Sequence, residues 1–412
     1  MLVKECRICR SRSLVRFLDL GNHPPADEFL FKHQLGPAEQ SYPLRVLLCT
    51  DCGLSQLDWV VPPETLYCND YPYESSTTAA GREHWDEFAG TVVRMMALTD
   101  GNLVVDIGSN VGVLLQMFAR RGVRVLGVDP AANIAEIAKA HGVSTLVAFF
   151  NSDTALRIRD EQGRASVITG TNVIAHINDL HDMMRGVDAL LTATGVFIME
   201  APYMVDLVRA LEYDTIYHEH LSYFSLKPLI RFFSQFGMEI FEVQRRDIHG
   251  GSFRVFVRRI GSSDRPVSSV IAELLGAEQR EGITDLERLQ RFASDVAQNR
   301  EDLRQMLAGL KRSGKRIAGV SAPAKGMTLL NYCAIGLDLL DFVTEKSRLK
   351  IGRFTPGMHI PVVADEALFS DPPDYALLLA WNFADEIMRN LREFSNRGGK
   401  FIIPIPRPTI VG

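Results

Sequence analysis

No stretch of this chain approaches the ~18 consecutive apolar residues of a membrane-spanning helix, and its opening Met-Leu-Val-Lys-Glu-Cys lacks the apolar core of a secretory signal. These absences argue against a membrane or secreted protein and lead us to expect a cytoplasmic one with reduced cysteines. Long runs of one charge are missing as well. Forty-five Lys and Arg face 50 Asp and Glu for a formal net charge of −5, so no basic face suits nucleic acid. Cysteine is scarce, with six in 412 residues. A chain of this length holds two or three domains that bury their own cores without disulfides.

The most informative stretch is residues 103–129. An apolar run ends in Asp106, a small-residue turn and a helix-patterned segment follow, and a second apolar run ends in Asp129. This is one βαβ unit, which binds an adenosine-bearing cofactor at the carboxyl ends of its strands. The turn lacks the Gly-x-Gly-x-x-Gly that lets backbone close on a pyrophosphate. It reads Asp106-Ile-Gly108-Ser-Asn110-Val-Gly112, and a carboxylate at the mouth would repel phosphate. A cationic amino-acid moiety suits it, as in S-adenosylmethionine, with Asp129 placed to accept both ribose hydroxyls.

Four of the six cysteines form two pairs, Cys6-x-x-Cys9 and Cys49-x-x-Cys52. Two such knuckles in a reducing compartment supply four thiolates for a tetrahedral structural zinc. Residues 10–48 then form an excursion whose ends the metal holds together, and Arg-Ile inside the first knuckle reads as a polar turn. Cys68 and Cys333 stand alone and are expected to be small buried hydrophobes.

Patterning divides the chain into a zinc module (1–75), a cofactor domain (76–260) and a helical linker with a carboxyl-terminal domain (261–412). In the second, a helix is expected near Thr77, buried strands over 165–170 and 195–200, and an antiparallel hairpin from 238–244 and 251–259. The third begins with one or two long charged helices over 261–313. Apolar runs at 316–321, 339–344, 375–380 and 400–406 then alternate with helix patterns. The fold class expected is therefore α/β, a zinc-binding module followed by a doubly wound domain and a second Rossmann-like domain. The cleft between the two α/β halves would suit a nucleotide substrate.

Tyr217-His218-Glu219-His220 is the densest cluster of proton-handling groups. Methyl transfer to carbon needs a carbanion, hence a carbonyl, a base for the proton and donors for the enolate. Such a cluster can supply them. His176 is expected to pack near the cofactor, and Lys325 is an open choice between binding substrate phosphate and lying in solvent.

These motifs together resemble the three-domain sugar C-methyltransferases. The resemblance rests on the Cys pairs, Tyr71-Pro-Tyr73-Glu-Ser-Ser, the Asp106 turn, Asn172-Val-Ile-Ala-His-Ile, Tyr217-His-Glu-His-Leu-Ser-Tyr, His249-Gly-Gly-Ser and Pro356-Gly-Met-His-Ile-Pro. It covers nearly the whole chain in order, with one departure: Val111 stands where the family commonly has an acidic residue. The resemblance implies a zinc domain with Cys6, Cys9, Cys49 and Cys52, and a methyl-donor domain with Asp106, Gly108, Asn110, Gly112, Asp129 and Asn172. It also implies a carboxyl-terminal domain helping to hold a nucleotide-linked 4-keto-6-deoxysugar, with dTDP as the expected nucleotide, as in antibiotic biosynthesis. On that basis His220 or Tyr217 is the base at C3, Glu219 orients or tunes it, and Tyr71 or Tyr73 closes over the sugar. A monomer with no nucleic-acid or membrane partner is expected. Sugar O-methylation, and a non-catalytic zinc-ribbon protein with a vestigial fold, remain as alternatives.

Overall fold

The structure is a computed structural model that describes residues 1–67, 79–248 and 250–412. Tyr71, Tyr73, Cys68, Thr77 and His249 lie outside the described residues. Among the described residues no helix is long and apolar enough to cross a membrane.

Among the described residues the strands form three sheets. The first has the order β1 (Leu14–His23), β2 (Tyr42–Cys49), β3 (Ser55–Leu57) and, from far along the chain, β9 (Ser222–Tyr223). Its antiparallel hairpin pairs Leu14 with Cys49. This register folds the excursion of residues 10–48 back on itself and brings the second knuckle to the first.

The second sheet contains β4 (Leu103–Ile107), β5 (Arg124–Asp129), β6 (Thr145–Val147), β7 (Ala165–Thr171), β8 (Leu191–Pro202), β10 (Met238–Arg246) and β11 (Ser252–Arg259). Their spatial order is β10-β11-β8-β7-β4-β5-β6. Every residue of β4 is buried, as in a parallel strand covered on both faces, which is why its sequence is a continuous apolar run. The chain goes outward from β4 through β5 to β6, then crosses back to β7 on the other side. That reversal leaves a crevice at the carboxyl ends of β4 and β7, the usual ligand position in a doubly wound sheet. The expected hairpin is present as β10 and β11, antiparallel to each other, with β11 antiparallel to β8.

The third sheet joins β12 (Ile317–Val320), β13 (Val343–Glu345), β14 (Val362–Ala364), β15 (Tyr375–Leu378), β16 (Lys400–Ile403) and β17 (Thr409–Val411), in the order β14-β13-β12-β15-β16-β17. Two helices precede it, Val270–Glu281 and Leu286–Arg312. The longer one buries Leu289, Phe292, Val296, Asn299, Leu303 and Leu307, a three-and-four spacing that draws one stripe along its length. Asn299 on that stripe accepts from Tyr213 Oη at 2.8 Å and donates to the Pro404 carbonyl at 2.9 Å, so the helix fastens the third sheet to the second domain.

Some expected strands differ in extent, two of them most clearly. The apolar run 339–344 is strand only at Val343–Glu345, with Leu339 and Leu340 buried in the preceding turn. The strand expected over 195–200 begins at Leu191, directly after the helix Leu180–Leu190.

Candidate active site

A cavity of about 950 Å³ lies over the carboxyl ends of β4, β5 and β7, and segments from all three units of the chain contribute to its wall. Val61, Leu66 and Tyr67 come from the first unit, and Ser321, Glu345 and Lys350 from the third. This volume is near the top of the range for a single small-ligand site.

The glycine turn forms the floor. Gly108 has φ +65°, and a Cβ there would lie 2.5 Å from Val173 Cγ2, so only glycine permits both the turn and the close approach. Asn110, also left-handed at φ 48°, donates its N–H to Asp129 Oδ2 at 2.9 Å, while the Ala131 N–H donates to Oδ1 at 2.9 Å. The carboxylate is thus fixed by two backbone donors. Each oxygen keeps lone-pair capacity for a ribose hydroxyl. Gly112 differs from expectation: it is absent from the cavity lining. Its φ of +77° turns the chain into the helix Val113–Ala119, with Val143 3.0 Å from where a Cβ would sit.

Asp106 is buried and accepts a hydrogen bond from Thr169 Oγ1 at 2.6 Å. Burial, opposed by that bond and reinforced by the Asp129 charge, pushes its carboxyl up to about 7. Near neutral pH a bound cation would therefore favour the carboxylate form. Asn172 lines the cavity with φ 55° and donates its N–H to the Glu200 carbonyl at 2.8 Å. Its buried Oδ1 has no partner among the described residues.

The proton-handling cluster is held at the seam between sheets, because β9 follows it immediately and pairs Ser55 with Tyr223. Tyr217 Oη and His220 Nε2 are 2.8 Å apart, and His220 Nδ1 is 2.7 Å from the Thr215 carbonyl. A carbonyl only accepts, so Nδ1 carries the proton and Nε2 is the basic nitrogen. The four consecutive residues do not act as one group. His218 turns toward the first sheet, where Nε2 donates to the Tyr42 carbonyl at 3.2 Å. Burial and the neighbouring His23 hold it down to about 4, hence neutral. Glu219 is buried near Tyr67, whose ionisation its charge opposes after burial itself.

Neither Tyr217 nor His220 is among the residues lining the cavity, but rings connect its wall to this pair. Tyr67 stacks on His176 at 6.0 Å, His176 meets His220 at 5.1 Å, and His220 meets Tyr217 at 4.0 Å. Tyr67 and His176 line the cavity. Burial, with His220 adding, holds His176 well below the ordinary imidazole range, and its Nε2 has no partner among the described residues.

The four thiols Cys6, Cys9, Cys49 and Cys52 place their sulfurs within 4.8 Å of one another. Cys6–Cys52 and Cys9–Cys49 are each 3.5 Å apart, close to the ~3.8 Å edge that tetrahedral Zn–S bonds of about 2.3 Å imply. The donor set fits zinc and leaves no open position.

Sequence reasoning missed several residues here. Arg7, read as part of a polar turn, is buried and donates to the Leu57 and Leu221 carbonyls at 2.9 and 3.0 Å and to Asn178 Oδ1 at 3.2 Å. The zinc knuckle thereby grips the residue next to His220. Lys325 lies 3.5 Å from Asp214 Oδ2 and over the Trp381 ring. The cavity lysine is instead Lys350, which donates to Asp27 Oδ1 at 2.8 Å. Arg254 pairs with Glu200 inside the domain. An arginine amid the apolar residues of a strand was the available signal for it.

Comparison with known proteins divides the chain in the same order. A family model described as "Putative zinc binding domain" matches residues 6–67, "Methyltransferase domain" matches 82–243, and "C-methyltransferase C-terminal domain" matches 247–406. C-methyltransferase NovU of Streptomyces niveus is 37% identical over 409 residues, 99% of this chain and 97% of that protein. The chain belongs to the three-domain sugar C-methyltransferase family. As a member it is an S-adenosylmethionine-dependent C-methyltransferase with zinc in its amino-terminal unit. A shorter likeness, 28% identity over 106 residues, joins it to a ubiquinone biosynthesis O-methyltransferase of Rhodopseudomonas palustris (strain BisB5), covering 26% of this chain and 42% of that one. Magnesium protoporphyrin IX methyltransferase of Synechocystis PCC 6803, solved with bound SAH, aligns with a TM-score of 0.36 at 14% identity over 45% of this chain and 90% of that one.

Proposed function

We propose that this C-methyltransferase methylates C3 of a nucleotide-linked 4-keto-6-deoxysugar through an enolate, with dTDP as the expected nucleotide. The observation that carries this reading is the fixed tautomer of His220, whose Nδ1–H is committed to the Thr215 carbonyl while Nε2 shares a proton with Tyr217. A ketone at C4 acidifies the C3 proton, and a neutral imidazole held in this tautomer is suited to take it. The Tyr217 hydroxyl, released from Nε2 as that nitrogen gains the proton, then donates to the enolate oxygen. Bound S-adenosylmethionine supplies an electrophilic methyl group.

Asp129 would hold the ribose and Asp106 the cationic amino-acid end, with Gly108, Asn110 and Asn172 shaping the site. Glu219 would tune the acid–base pair from its buried position beside Tyr67, and Tyr71 would add a hydroxyl over the sugar. The nucleotide end would lie against the third sheet, where Ser321, Ser347 and Lys350 line the same cavity. Boundaries near residues 75 and 260 fit this division of labour, although β9 crosses back to the first sheet. The test is incubation with labelled S-adenosylmethionine and a panel of nucleotide sugars with and without a 4-ketone. Carbon-linked label in the 4-keto sugars alone is expected, and label on a hydroxyl oxygen would overturn the reading.

A further inference from the structure

We propose that His84 anchors the α-carboxylate of S-adenosylmethionine, donating to it from Nδ1, with Glu200 and Arg254 as the positioning residues that aim the imidazole into the cavity. The inference concerns cofactor binding alone and does not depend on the sugar.

His84 belongs to the helix Ala79–Met96 and lines the cavity together with Gly81 and Trp85 of the same helix. Its Nε2 lies 2.6 Å from Glu200 Oε1, and Glu200 is fully buried near the end of β8. The other Glu200 oxygen accepts from Arg254 Nε at 2.8 Å. Arg254 in turn lies over the Phe88 ring and reaches Glu87 Oε2 at 3.2 Å. One end of the imidazole is thus committed to a buried carboxylate. Among the described residues Nδ1 has no hydrogen-bond partner, since both polar contacts of the ring use Nε2.

The position along the sheet suits the amino-acid end of the cofactor. Asp129 is the last residue of β5, Asp106 the next to last of β4, and Glu200 lies two residues before the end of β8, beyond β7. A ligand with its ribose at Asp129 therefore runs across β4 toward the side where His84 stands. Its α-ammonium has Asp106. Its α-carboxylate needs a hydrogen-bond donor, and the other charged or imidazole groups described on the wall are already engaged elsewhere or held neutral. Lys350 is the only Lys or Arg among the described lining residues, and its ammonium already donates to Asp27 and to the Ala322 carbonyl. The amino group of Met1 donates to the Val60 carbonyl. His176 and His218 are held neutral by burial. Among the described residues, His84 combines a buried carboxylate behind it with a nitrogen in front that has no hydrogen-bond partner.

The experiment is calorimetric titration of wild type, His84→Ala and His84→Gln with S-adenosylmethionine and with decarboxylated S-adenosylmethionine, which lacks only the carboxylate. Wild type should prefer the complete cofactor by about 10- to 100-fold, the range of a hydrogen bond to a charged group. His84→Ala should lose that preference while binding the decarboxylated form within about twofold of wild type. His84→Gln, which keeps a bond to Glu200 and an N–H donor but no charge, should fall between them and carries the test if the alanine variant does not fold. Equal weakening of both ligands, or an unchanged preference, would overturn the assignment. Failure of sugar methylation with this pattern intact would instead count against the proposed substrate.

Discussion

Replacing Asp106 by Asn should stabilise the unliganded protein and weaken cofactor binding, with a pH dependence that separates this effect from ordinary repacking. Burial raises the Asp106 carboxyl from an ordinary 3.8 to about 7 in the folded chain. The sign follows from linkage: a group whose folded pKa is raised contributes fully below its unfolded value, and the contribution is lost as pH rises through the folded value. Between those limits the unfolded chain has released the proton and the folded chain still holds it. The cost of burying Asp106 therefore grows with pH, from about 2 kcal/mol at pH 5 to a plateau of about 4 kcal/mol at pH 8. Asn accepts the same Thr169 hydrogen bond without that cost. The assay is the difference in denaturation midpoint between variant and wild type at pH 5 and pH 8, which should widen at the higher pH. In calorimetry near pH 7, cofactor binding to wild type should release a proton, visible as a heat that depends on the buffer, because the bound cation favours the carboxylate. The variant should show no such dependence and bind about 10- to 100-fold more weakly. A midpoint difference that does not change with pH, together with buffer-independent heats in wild type, would refute the reasoning.

Three further outcomes are expected. Asp129→Ala should lower S-adenosylmethionine affinity by at least about tenfold with the fold retained, as two accepted hydroxyl bonds are lost; unchanged calorimetric affinity would remove Asp129 from the site. Cys49→Ser should reduce metal content below one zinc per chain and lower thermal stability, because the tetrahedral set has no spare ligand; full zinc in a Cys6/Cys49 double variant would defeat the assignment. Arg7→Met should keep its zinc and its cofactor affinity yet lower turnover by about tenfold or more, since the Leu221 and Asn178 acceptors lose their buried donor; normal turnover would show that the knuckle does not position the His220 loop.

The parts of the site legible in the sequence were those whose chemistry is local. Asp106 and Asp129 end apolar runs around a small-residue turn, and the cysteine pairs have knuckle spacing. What escaped depends on contacts between distant segments. β9 is only Ser222–Tyr223 and exists because β3 offers it an edge. His84 and Glu200 are 116 positions apart, and no period or spacing links them. Arg7 looked like a solvated turn residue because nothing nearby reveals that the Leu221 carbonyl comes down on it. The cluster at Tyr217–His220 was legible as chemistry but not as geometry: Tyr217 and His220 meet, whereas His218 turns to Tyr42. The run at 339–344 failed for another reason, since Leu339 and Leu340 are buried in a turn and burial alone does not make a strand.

The central claim, that the Tyr217–His220 pair manages a proton at C3, is tested most directly by deuterium exchange into a 4-keto nucleotide sugar with no methyl donor present. Wild type should incorporate solvent deuterium at C3. His220→Gln should slow that incorporation by about 10²- to 10⁴-fold, the range for a positioned base, while binding S-adenosylmethionine as wild type does. Tyr217→Phe should slow it as well through loss of the enolate donor. Wild-type exchange that persists undiminished in both variants would contradict the account and move proton abstraction to another group, with Tyr71 and His176 the residues to test next.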